Sequence, residues 1–324
     1  MRYSRRDLGK LALSAVPAVT ILKGPTAALA QAPAKPNSTV NGVDLGTITY
    51  SYRSMPDQSA EAILRYVLDS GISRIEFMGG PVEAFAGAPQ AAGRGGGRRG
   101  QPPTPEQQPM QREAANGLRA WRTSVSMDRF KALRKMFNDA GVTIYAWKQL
   151  TPNMTDAEME YVFNVAEALG CTHTTLELVD DAGQLRRIGQ FAEKKKIYAA
   201  YHTHLQGSMT AFDQAFAVSK GNTANVDLGH FVAAGGDPVA FIKRFNGRIS
   251  SVHLKDRTTP ANGQRNLPWG TGDTPLKEIL LTMKRDKHTY PAAIELEYQV
   301  PAGSDAVKET AKCLEFCKTV LANA

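Results

Sequence analysis

Cysteine is scarce in this chain, and the way it is distributed argues against two kinds of scaffold. The 324 residues include three cysteines, Cys171, Cys313 and Cys317. An odd number argues against a disulfide framework, even in an oxidising compartment. The absence of clustered cysteines argues against a structural zinc site. Cys313 and Cys317 lie one helical turn apart, which predicts that they share the packed face of a terminal helix.

The sequence also lacks a long apolar run near its start. The run at residues 11–22 is shorter than the roughly 20 residues that span a bilayer, and Pro17 interrupts it. Before it, Ser4-Arg5-Arg6-Asp7-Leu8-Gly9-Lys10 resembles the twin-arginine export motif, and Ala28-Leu29-Ala30 is typical of a cleavage site. Residues 1–30 are therefore predicted to be an export signal, followed by a linker at 31–40. This predicts a periplasmic or otherwise extracytoplasmic protein without a stable membrane anchor.

The part of the chain after the predicted signal has little excess charge. The net charge is +8, and residues 1–30 carry five basic side chains against one acidic one, which leaves +4 for the remainder. So small an excess argues against a nucleic-acid-binding surface. The hydrophobic content of 42% is ordinary for a soluble globular protein. We therefore expect no nucleic-acid partner. A homo-oligomer is compatible with the sequence, which does not determine the oligomeric state.

From residue 41 to 324, strand and helix patterns alternate eight times. The predicted strands are 46–52, 74–78, 143–147, 172–178, 197–202, 224–227, 249–254 and 292–298. The predicted helices are 59–70, 126–140, 156–169, 182–195, 209–220, 238–245, 275–284 and 305–322. This alternation predicts an α/β fold, a closed (β/α)8 TIM barrel. A doubly wound sheet is the alternative, but it would place a glycine-rich phosphate loop after its first strand, and none is present there.

Two predicted loops exceed the usual length. Residues 79–123, after the second strand, are rich in Gly, Pro, Gln and Arg, a composition that does not fold alone and predicts a flexible insertion. Within it, Arg112, Arg119 and Trp121 are expected to be the best ordered. The second loop, 258–273, follows the His253 strand, so Trp269 is expected to shape one wall of a site at that strand end.

Metal-ligand side chains recur where the predicted strands end. Residues two apart on a strand face the same side, and such pairs are His202 with His204, His253 with Lys255, and Glu295 with Glu297. Charged groups facing a barrel interior are unfavourable unless they are paired or bind a metal. Carboxylates and imidazoles together suit Mn, Mg, Co or Zn. The predicted ligands are His202, Asp227, His253 and Glu297, with Glu295 as the alternative on the last strand and Glu177 and His204 as competing neighbours.

Several of these motifs carry a family resemblance. The segments 201–204, 227–230, 235–238, 247–256 and 294–297 resemble the xylose isomerase-like TIM barrels, above all the sugar phosphate isomerases/epimerases, a group with inosose dehydratases and ketose 3-epimerases. The resemblance spans residues 41–320. It implies a divalent metal held at four strand ends by His202, where many members have Glu, by Asp227, by His253 and by a glutamate of the last strand. Aligning Tyr290 with the aromatic residue that often precedes that strand favours Glu297.

The resemblance implies proton abstraction next to a carbonyl. A metal that holds a ketone oxygen and the neighbouring hydroxyl makes the carbon-bound proton acidic, and a carboxylate then removes it. The hypothesis assigns Glu177 or Glu295 as the base, and His230 and Lys255 to charge stabilisation or relay. An equal alternative for Lys255 is an ion pair with Asp256 or with a strand carboxylate. Glu76, Lys148, His204 and Trp269 are predicted to bind substrate.

The expected function is an exported isomerase or epimerase of an unphosphorylated sugar or polyol. One alternative is a lyase or dehydratase that acts on an inosose or 3-oxo-glycoside. Another is a barrel that binds sugar without turning it over. A third is the endonuclease IV-like branch, which would require a larger set of zinc ligands and access to DNA.

Overall fold

Eight parallel strands close into a barrel in the computed structural model, which describes residues 35–89, 104 and 107–323. The strands are β1 Val43–Ile48, β2 Arg74–Met78, β3 Thr143–Lys148, β4 His173–Glu177, β5 Tyr198–His202, β6 Asn222–Asp227, β7 Ile249–Leu254 and β8 Ala292–Ile294. Around the barrel the order is β1, β8, β7, β6, β5, β4, β3, β2, and β2 pairs again with β1. The predicted (β/α)8 barrel is confirmed.

Helices connect successive strands. They are α1 Ala60–Asp69, α2 Gly79–Ala86, α3 Gln107–Arg122, α4 Asp128–Asp139, α5 Asp156–Leu169, α6 Ala182–Lys195, α7 Asp213–Val218, α8 Leu228–Ala233, α9 Pro238–Phe245, α10 Leu276–Arg285 and α11 Ala306–Ala322. Thr39–Val40 pairs antiparallel with β1, and Asp256–Arg257 pairs antiparallel with Asn266–Leu267. Within the described residues, no helix combines the length and the apolar character that crossing a membrane requires. The predicted export signal, residues 1–30, lies outside the described residues.

Local signals explain why several helix boundaries match their predictions. Thr155 and Glu158 form a reciprocal capping box at the start of α5. Asp237 caps α9 by accepting a hydrogen bond from Ala240 N at 3.0 Å, and Pro238 takes the first helical position. Such caps satisfy backbone N–H groups that have no partner inside the helix. Cys313 and Cys317 are buried on α11, as predicted.

The first and last strands are shorter than predicted. After Ile48 the chain turns into a 3₁₀ helix, Thr49–Tyr52, instead of continuing as a strand. At the other end, Glu295 N still donates to Leu254 O at 3.0 Å, but Leu296 N donates to the hydroxyl of Ser51 at 3.0 Å. A side chain from the β1 turn thus replaces the next rung of the ladder. Glu295 and Glu297 therefore lie just beyond β8, at the mouth of the barrel.

A helix that the sequence pattern did not predict follows β6 directly. The carboxylate of Asp227 caps α8 by accepting a hydrogen bond from His230 N at 2.7 Å. The second residue of this helix, Gly229, packs against the end of β7, where an added Cβ would lie 2.2 Å from Lys255 Cγ and 2.8 Å from Lys255 O. Only glycine fits this contact. The contact brings His230 beside the β7 end.

Alternation along the strands separates an apolar layer from a polar interior. Val226 and Val252 are fully buried and belong to the main hydrophobic cluster. Their neighbours Asn225, Asp227 and His253 are equally buried but polar, and residues two apart on a strand share a face. The apolar side packs against the helices, and the polar side forms the barrel interior.

Helices occupy both ends of the segment predicted to be a flexible insertion, 79–123. They are α2 and α3, while residues 90–103 and 105–106 lie outside the described residues. Trp121 on α3 packs edge-on against Tyr161 of α5, with ring centroids 6.1 Å apart. The carboxylate of Glu83 on α2 accepts two hydrogen bonds from Arg122, at 2.8 and 3.1 Å, and one from the Tyr161 hydroxyl at 3.0 Å. These contacts join α2 and α3 to α5.

Replacing Arg122 by alanine should destabilise the fold. The Arg122 side chain is only 10% exposed, and its guanidinium is paired with Glu83. Loss of the guanidinium would leave the buried Glu83 carboxylate without a cation. Breaking such a pair lowers the free energy of unfolding by about 3 kcal/mol. Urea unfolding measures this, with Arg112→Ala, an exposed position on the same helix, as the control. Equal effects of the two substitutions would show that the ion pair does not hold α3 in place.

Candidate metal centre at the mouth of the barrel

Four buried side chains converge at the carboxyl ends of neighbouring strands. Each of His202, Asp227, His253 and Glu295 offers one ligand atom, and these atoms all lie within 4.8 Å of one another. They come from β5, β6, β7 and the residue after β8. We call this set the four-residue group. It contains three of the predicted ligands, and Glu295, the alternative on the last strand, in place of Glu297.

The hydrogen bonds of His202 determine which of its nitrogens is free. Its Nδ1 lies 2.8 Å from Asn225 Oδ1. The Asn225 amide nitrogen donates elsewhere, so the amide oxygen faces the ring and must accept a hydrogen from Nδ1. Burial, as the largest cause, and the positive charge of Lys148, as the second, lower the pKa of His202 to about 3. The ring is neutral, with a lone pair on Nε2, for which no described residue supplies a hydrogen bond.

His253 lies between two carboxylates. Its Nδ1 is 2.8 Å from Glu295 Oε2, and its Nε2 is 2.8 Å from Glu76 Oε2. Burial alone would lower the pKa of His253, but the charges of Glu76 and Glu295 outweigh it and raise the pKa to about 10. Glu76 is fully buried, and burial alone would raise its pKa. The charge and hydrogen bond of His253, with Lys148 and Thr175, outweigh burial and lower the pKa of Glu76 to about 2.

The ammonium group of Lys255 contacts three carboxylates. Its Nζ lies 2.8 Å from Asp227 Oδ2, 3.0 Å from Glu295 Oε2 and 2.7 Å from Glu297 Oε2. Burial would lower the pKa of Lys255, but these three charges raise it above its usual value. Burial raises the pKa of Asp227 to about 6, although Lys255 opposes the shift. Asp227 is thus ionised at neutral pH.

The buried cluster carries more negative than positive charge. Four carboxylates, those of Glu76, Asp227, Glu295 and Glu297, face two cations, His253 and Lys255. Two negative charges are left unbalanced among these residues, and unbalanced buried charge is unfavourable. In addition, Asp227 Oδ2 is buried without a hydrogen bond, although it lies within ion-pair distance of Lys255. The donor set and its charge therefore fit a divalent cation.

The rim of the site is lined by partly exposed polar groups. Glu177 accepts from Lys148 Nζ at 2.7 Å, and its other oxygen is 3.2 Å from His204 Nδ1. Burial would raise the pKa of Glu177, but the hydrogen bond from His204 and the charge of Lys148 lower it. Glu177 and His204 also lie within 4.8 Å of a ring nitrogen of His202. A carboxylate and an imidazole thus stand directly beside the four-residue group.

His230 faces this rim as a neutral hydrogen-bond donor. Arg257 donates to its Nδ1, and because a guanidinium cannot accept, the ring hydrogen must lie on Nε2. Burial and the charges of Lys255 and Arg257 lower the pKa of His230 to about 2. Its Nε2 lies 3.7 Å from Glu297 Oε2, and its ring centroid is 4.7 Å from that of His204. His230 therefore presents an N–H group toward the site and does not take up a proton.

Two residues predicted to bind substrate occupy other positions. Glu76 is fully buried below the rim, with its oxygens engaged by Thr175, Asn225 and His253, which leaves none for a substrate. Trp269 packs its ring against Phe316 of α11, with centroids 5.8 Å apart. Its loop is held instead by backbone N–H groups that donate to the carboxylate of Asp256.

The sequence reasoning missed Asn225, Ser251 and Arg257. Asn225 stands two residues before Asp227, and Ser251 two before His253, so both share an inward face with a predicted ligand. That spacing was the available signal. The signal was weak because uncharged polar residues are common on strands of many kinds. Arg257 had no comparable signal, since its contact with His230 depends on α8.

His173 lies deeper in the barrel and should make stability depend on pH. Its Nδ1 is 2.9 Å from the Thr172 hydroxyl and its Nε2 is 2.9 Å from the Ser251 hydroxyl. Burial lowers the pKa of His173 from 6.5 to about 4. The unfolded chain therefore binds the proton more readily, so stability is complete above pH 6.5 and falls between pH 6.5 and 4. The loss is at most about 3 kcal/mol.

Urea unfolding of the wild type and of His173→Gln at several pH values isolates this contribution. The difference in unfolding free energy between the two proteins should shrink as the pH falls from 6.5 to 4 and then stay constant. A difference that does not change over this range would contradict a buried, neutral His173.

The family of known proteins that this chain resembles in sequence has the same TIM barrel fold. A model of the xylose isomerase-like TIM barrel family matches residues 112–318. An inosose dehydratase of Clostridium botulinum is 36% identical over 77 residues, which cover 22% of this chain and 26% of that protein. The chain thus matches about a quarter of the length of this curated relative.

Solved structures resemble the chain over most of its length. A sugar phosphate isomerase/epimerase from Parabacteroides distasonis superposes with a TM-score of 0.58 at 15% identity, over 91% of this chain and 98% of that one. The IOLI protein, solved with a bound zinc atom, gives a TM-score of 0.58 at 15% identity, over 87% and 99%. At such identities these structures establish the fold alone. Because the family model covers more than half of the chain, the protein belongs to the xylose isomerase-like TIM barrel family.

Proposed function

We propose that the protein is a divalent-metal-dependent isomerase or epimerase that removes a carbon-bound proton next to the carbonyl of a sugar or polyol derivative. The observation that carries this proposal is the four-residue group in a buried cluster with two unbalanced negative charges. His202, Asp227, Glu295 and, after it gives up the proton on Nδ1, His253 would hold the cation, which belongs to Mn, Mg, Co or Zn by the chemistry of its donors. A divalent cation at this point supplies Lewis-acid polarisation of the substrate carbonyl.

The base is Glu177. Of the two carboxylates predicted for this role, Glu295 is buried within the four-residue group, whereas Glu177, although it contacts Lys148 and His204, stands half-exposed on the rim. The contacts with His204 and Lys148 lower its pKa and keep it ionised at neutral pH, and its basicity increases when a bound substrate takes over these two donors. His204, 3.2 Å away and itself half-exposed, can pass that proton to solvent.

Lys255 and His230 stabilise the negative charge that develops on the substrate oxygen. Both present a hydrogen to the site: Lys255 as an ammonium whose pKa is raised by its carboxylates, and His230 through Nε2. Preorganised donors of this kind lower the barrier because they need no reorientation during the reaction. Return of the proton to a neighbouring carbon, or to the opposite face, then gives isomerisation or epimerisation.

A lyase reaction is the second candidate. The observation that favours it is the local identity with inosose dehydratases, 36% over 77 residues for the C. botulinum protein. The same proton abstraction leads to elimination when the neighbouring carbon carries a leaving group. We further propose an unphosphorylated substrate met outside the cytoplasm, which rests on the twin-arginine-like segment at Arg5 and Arg6.

Proton exchange in heavy water tests the reaction class. The metal-loaded protein is incubated with a panel of ketoses, inososes and 3-oxo-glycosides, and deuterium at the α-carbon is read by mass spectrometry. Deuterium in an isomerised product supports the isomerase or epimerase, whereas loss of water or of an alcohol supports the lyase. Glu177→Gln should lose exchange, and Glu167→Gln, an exposed position on α5, should keep it. A metal-loaded protein that exchanges no proton with any of them would favour mere sugar binding.

A further inference from the structure

Glu76 is a buried carboxylate that holds other parts of the site instead of touching a substrate. It lies in the middle of β2 and is 0% exposed. Its Oε1 accepts from the Thr175 hydroxyl at 2.7 Å. Its Oε2 accepts from Asn225 Nδ2 at 3.0 Å and faces His253 Nε2 at 2.8 Å. One oxygen of Glu76 thus contacts two side chains that lead to the four-residue group.

Asn225 links Glu76 to His202. Its amide nitrogen has two acceptors on the interior side, Glu76 Oε2 at 3.0 Å and the Ser251 hydroxyl at 2.6 Å. The amide can donate to both Glu76 and Ser251 only when its nitrogen faces the barrel interior. Its oxygen then faces His202 Nδ1, 2.8 Å away. An amide oxygen only accepts, so the ring hydrogen of His202 is held on Nδ1. The lone pair of Nε2 then faces the site.

The same oxygen of Glu76 orients His253. With Nε2 directed at Glu76, the other ring nitrogen, Nδ1, points toward Glu295 at 2.8 Å. Glu295 belongs to the four-residue group and Glu76 does not. Nδ1 is therefore the nitrogen that His253 presents to the group. A carboxylate behind a metal-binding imidazole fixes the ring in this way and makes it a better ligand.

We propose that Glu76 is the positioning residue of the site: it orients both imidazoles of the four-residue group, His253 directly and His202 through the amide of Asn225. The inference rests on the proposed function, because orienting the imidazoles matters for a metal site. The hydrogen bonds themselves are present in the metal-free protein. The two rings meet the group from different strands with centroids 4.8 Å apart, and one carboxylate sets the hydrogen-bond direction of both.

Nitrogen NMR of the metal-free protein, labelled with ¹⁵N-histidine, tests the proposal. The chain has six histidines, and His202→Gln identifies the His202 signals. In the wild type, His202 should show a single tautomer with hydrogen on Nδ1. Glu76→Met, which keeps the length but removes the acceptor, should give a mixture of tautomers at His202. It should also weaken zinc or manganese binding by about 10–100-fold in calorimetry.

Three further variants separate positioning from simple structural support. Glu76→Gln should restore the Nδ1–H tautomer, because its amide oxygen can face Asn225 while its amide nitrogen donates to the Thr175 hydroxyl. Asn225→Ala should change the His202 tautomer, whereas His253, which Asn225 Nδ2 approaches to 3.3 Å, should keep its Nε2 hydrogen because Glu76 remains 2.8 Å away. Thr175→Val removes the remaining contact of Glu76 without touching either ring, and it should change neither. If Glu76→Met does not fold, Glu76→Ala takes its place, and the same mixture of His202 tautomers is expected.

The outcomes distinguish this inference from the proposed function. A His202 ring with hydrogen on Nε2 in the wild type, or a Glu76→Met protein with an unchanged His202 tautomer and unchanged metal affinity, overturns the positioning role even when the enzyme is active. A protein with the expected tautomers that exchanges no proton in heavy water overturns the proposed reaction and leaves the positioning role standing.

Discussion

Replacing Asp227 by asparagine should remove the metal and the activity while the fold remains. Asp227 lies in the four-residue group, where its Oδ2 is buried with only the Lys255 ammonium, 2.8 Å away, as a partner, and its Oδ1 caps α8. Asparagine caps a helix as well as aspartate does, so α8 should persist. The variant lacks the ligand charge, and metal affinity should fall by more than about 100-fold, beyond what outer-shell changes cause. Metal content after dialysis and proton exchange in heavy water measure both losses.

The same substitution at Asp237 is a matched control. Asp237 caps α9 in the same manner, through a hydrogen bond from Ala240 N at 3.0 Å, but it is not part of the four-residue group. Asp237→Asn should bind metal and exchange protons like the wild type. If Asp227→Asn keeps both the metal and the activity, the group described here is not the site of the reaction.

The second large effect concerns the two glutamates after β8. Both contact Lys255, but Glu295 also lies 2.8 Å from His253 and belongs to the four-residue group, whereas Glu297 is 3.7 Å from His230. Glu295→Gln should therefore weaken metal binding by more than about 100-fold and abolish proton exchange. Glu297→Gln should retain the metal, with a loss of affinity of less than about tenfold, because it removes one of three partners of Lys255.

Metal titration of the two variants side by side decides between these glutamates. The substitution is the same in both, and both side chains contact the same ammonium group, so a general electrostatic effect would act on both alike. Stronger loss of metal in Glu297→Gln than in Glu295→Gln would reverse the assignment and restore the ligand set predicted from the sequence.

The sequence was sufficient for the barrel and for the location of the site. Alternating strand and helix patterns predicted all eight strands, and ligand-type residues at strand ends predicted His202, Asp227 and His253, which the structure brings together. Strand ends are informative because every parallel strand of a barrel delivers its last residues to the same mouth. The family resemblance pointed to the same four strand ends.

The sequence was insufficient where position depends on contacts between distant segments. Glu295 and Glu297 are equivalent by pattern, and the choice between them depends on where β8 stops, which a hydrogen bond from Leu296 N to Ser51 determines. Glu76 was expected to bind substrate, but its oxygens are taken up by Thr175, Asn225 and His253, and its depth follows from the register of β2 in the barrel. The orientation of His230 depends on α8, a six-residue helix that starts at Asp227. None of these contacts leaves a periodic trace in the chain.

Crystals of the protein grown with manganese or zinc test the central claim most directly, through anomalous diffraction at the metal edge. The account predicts one strong peak within bonding distance of His202 Nε2, an oxygen of Asp227, His253 Nδ1 and an oxygen of Glu295, with Lys255 moved toward Glu297. A peak elsewhere in the chain, or none while the protein remains active, would contradict it.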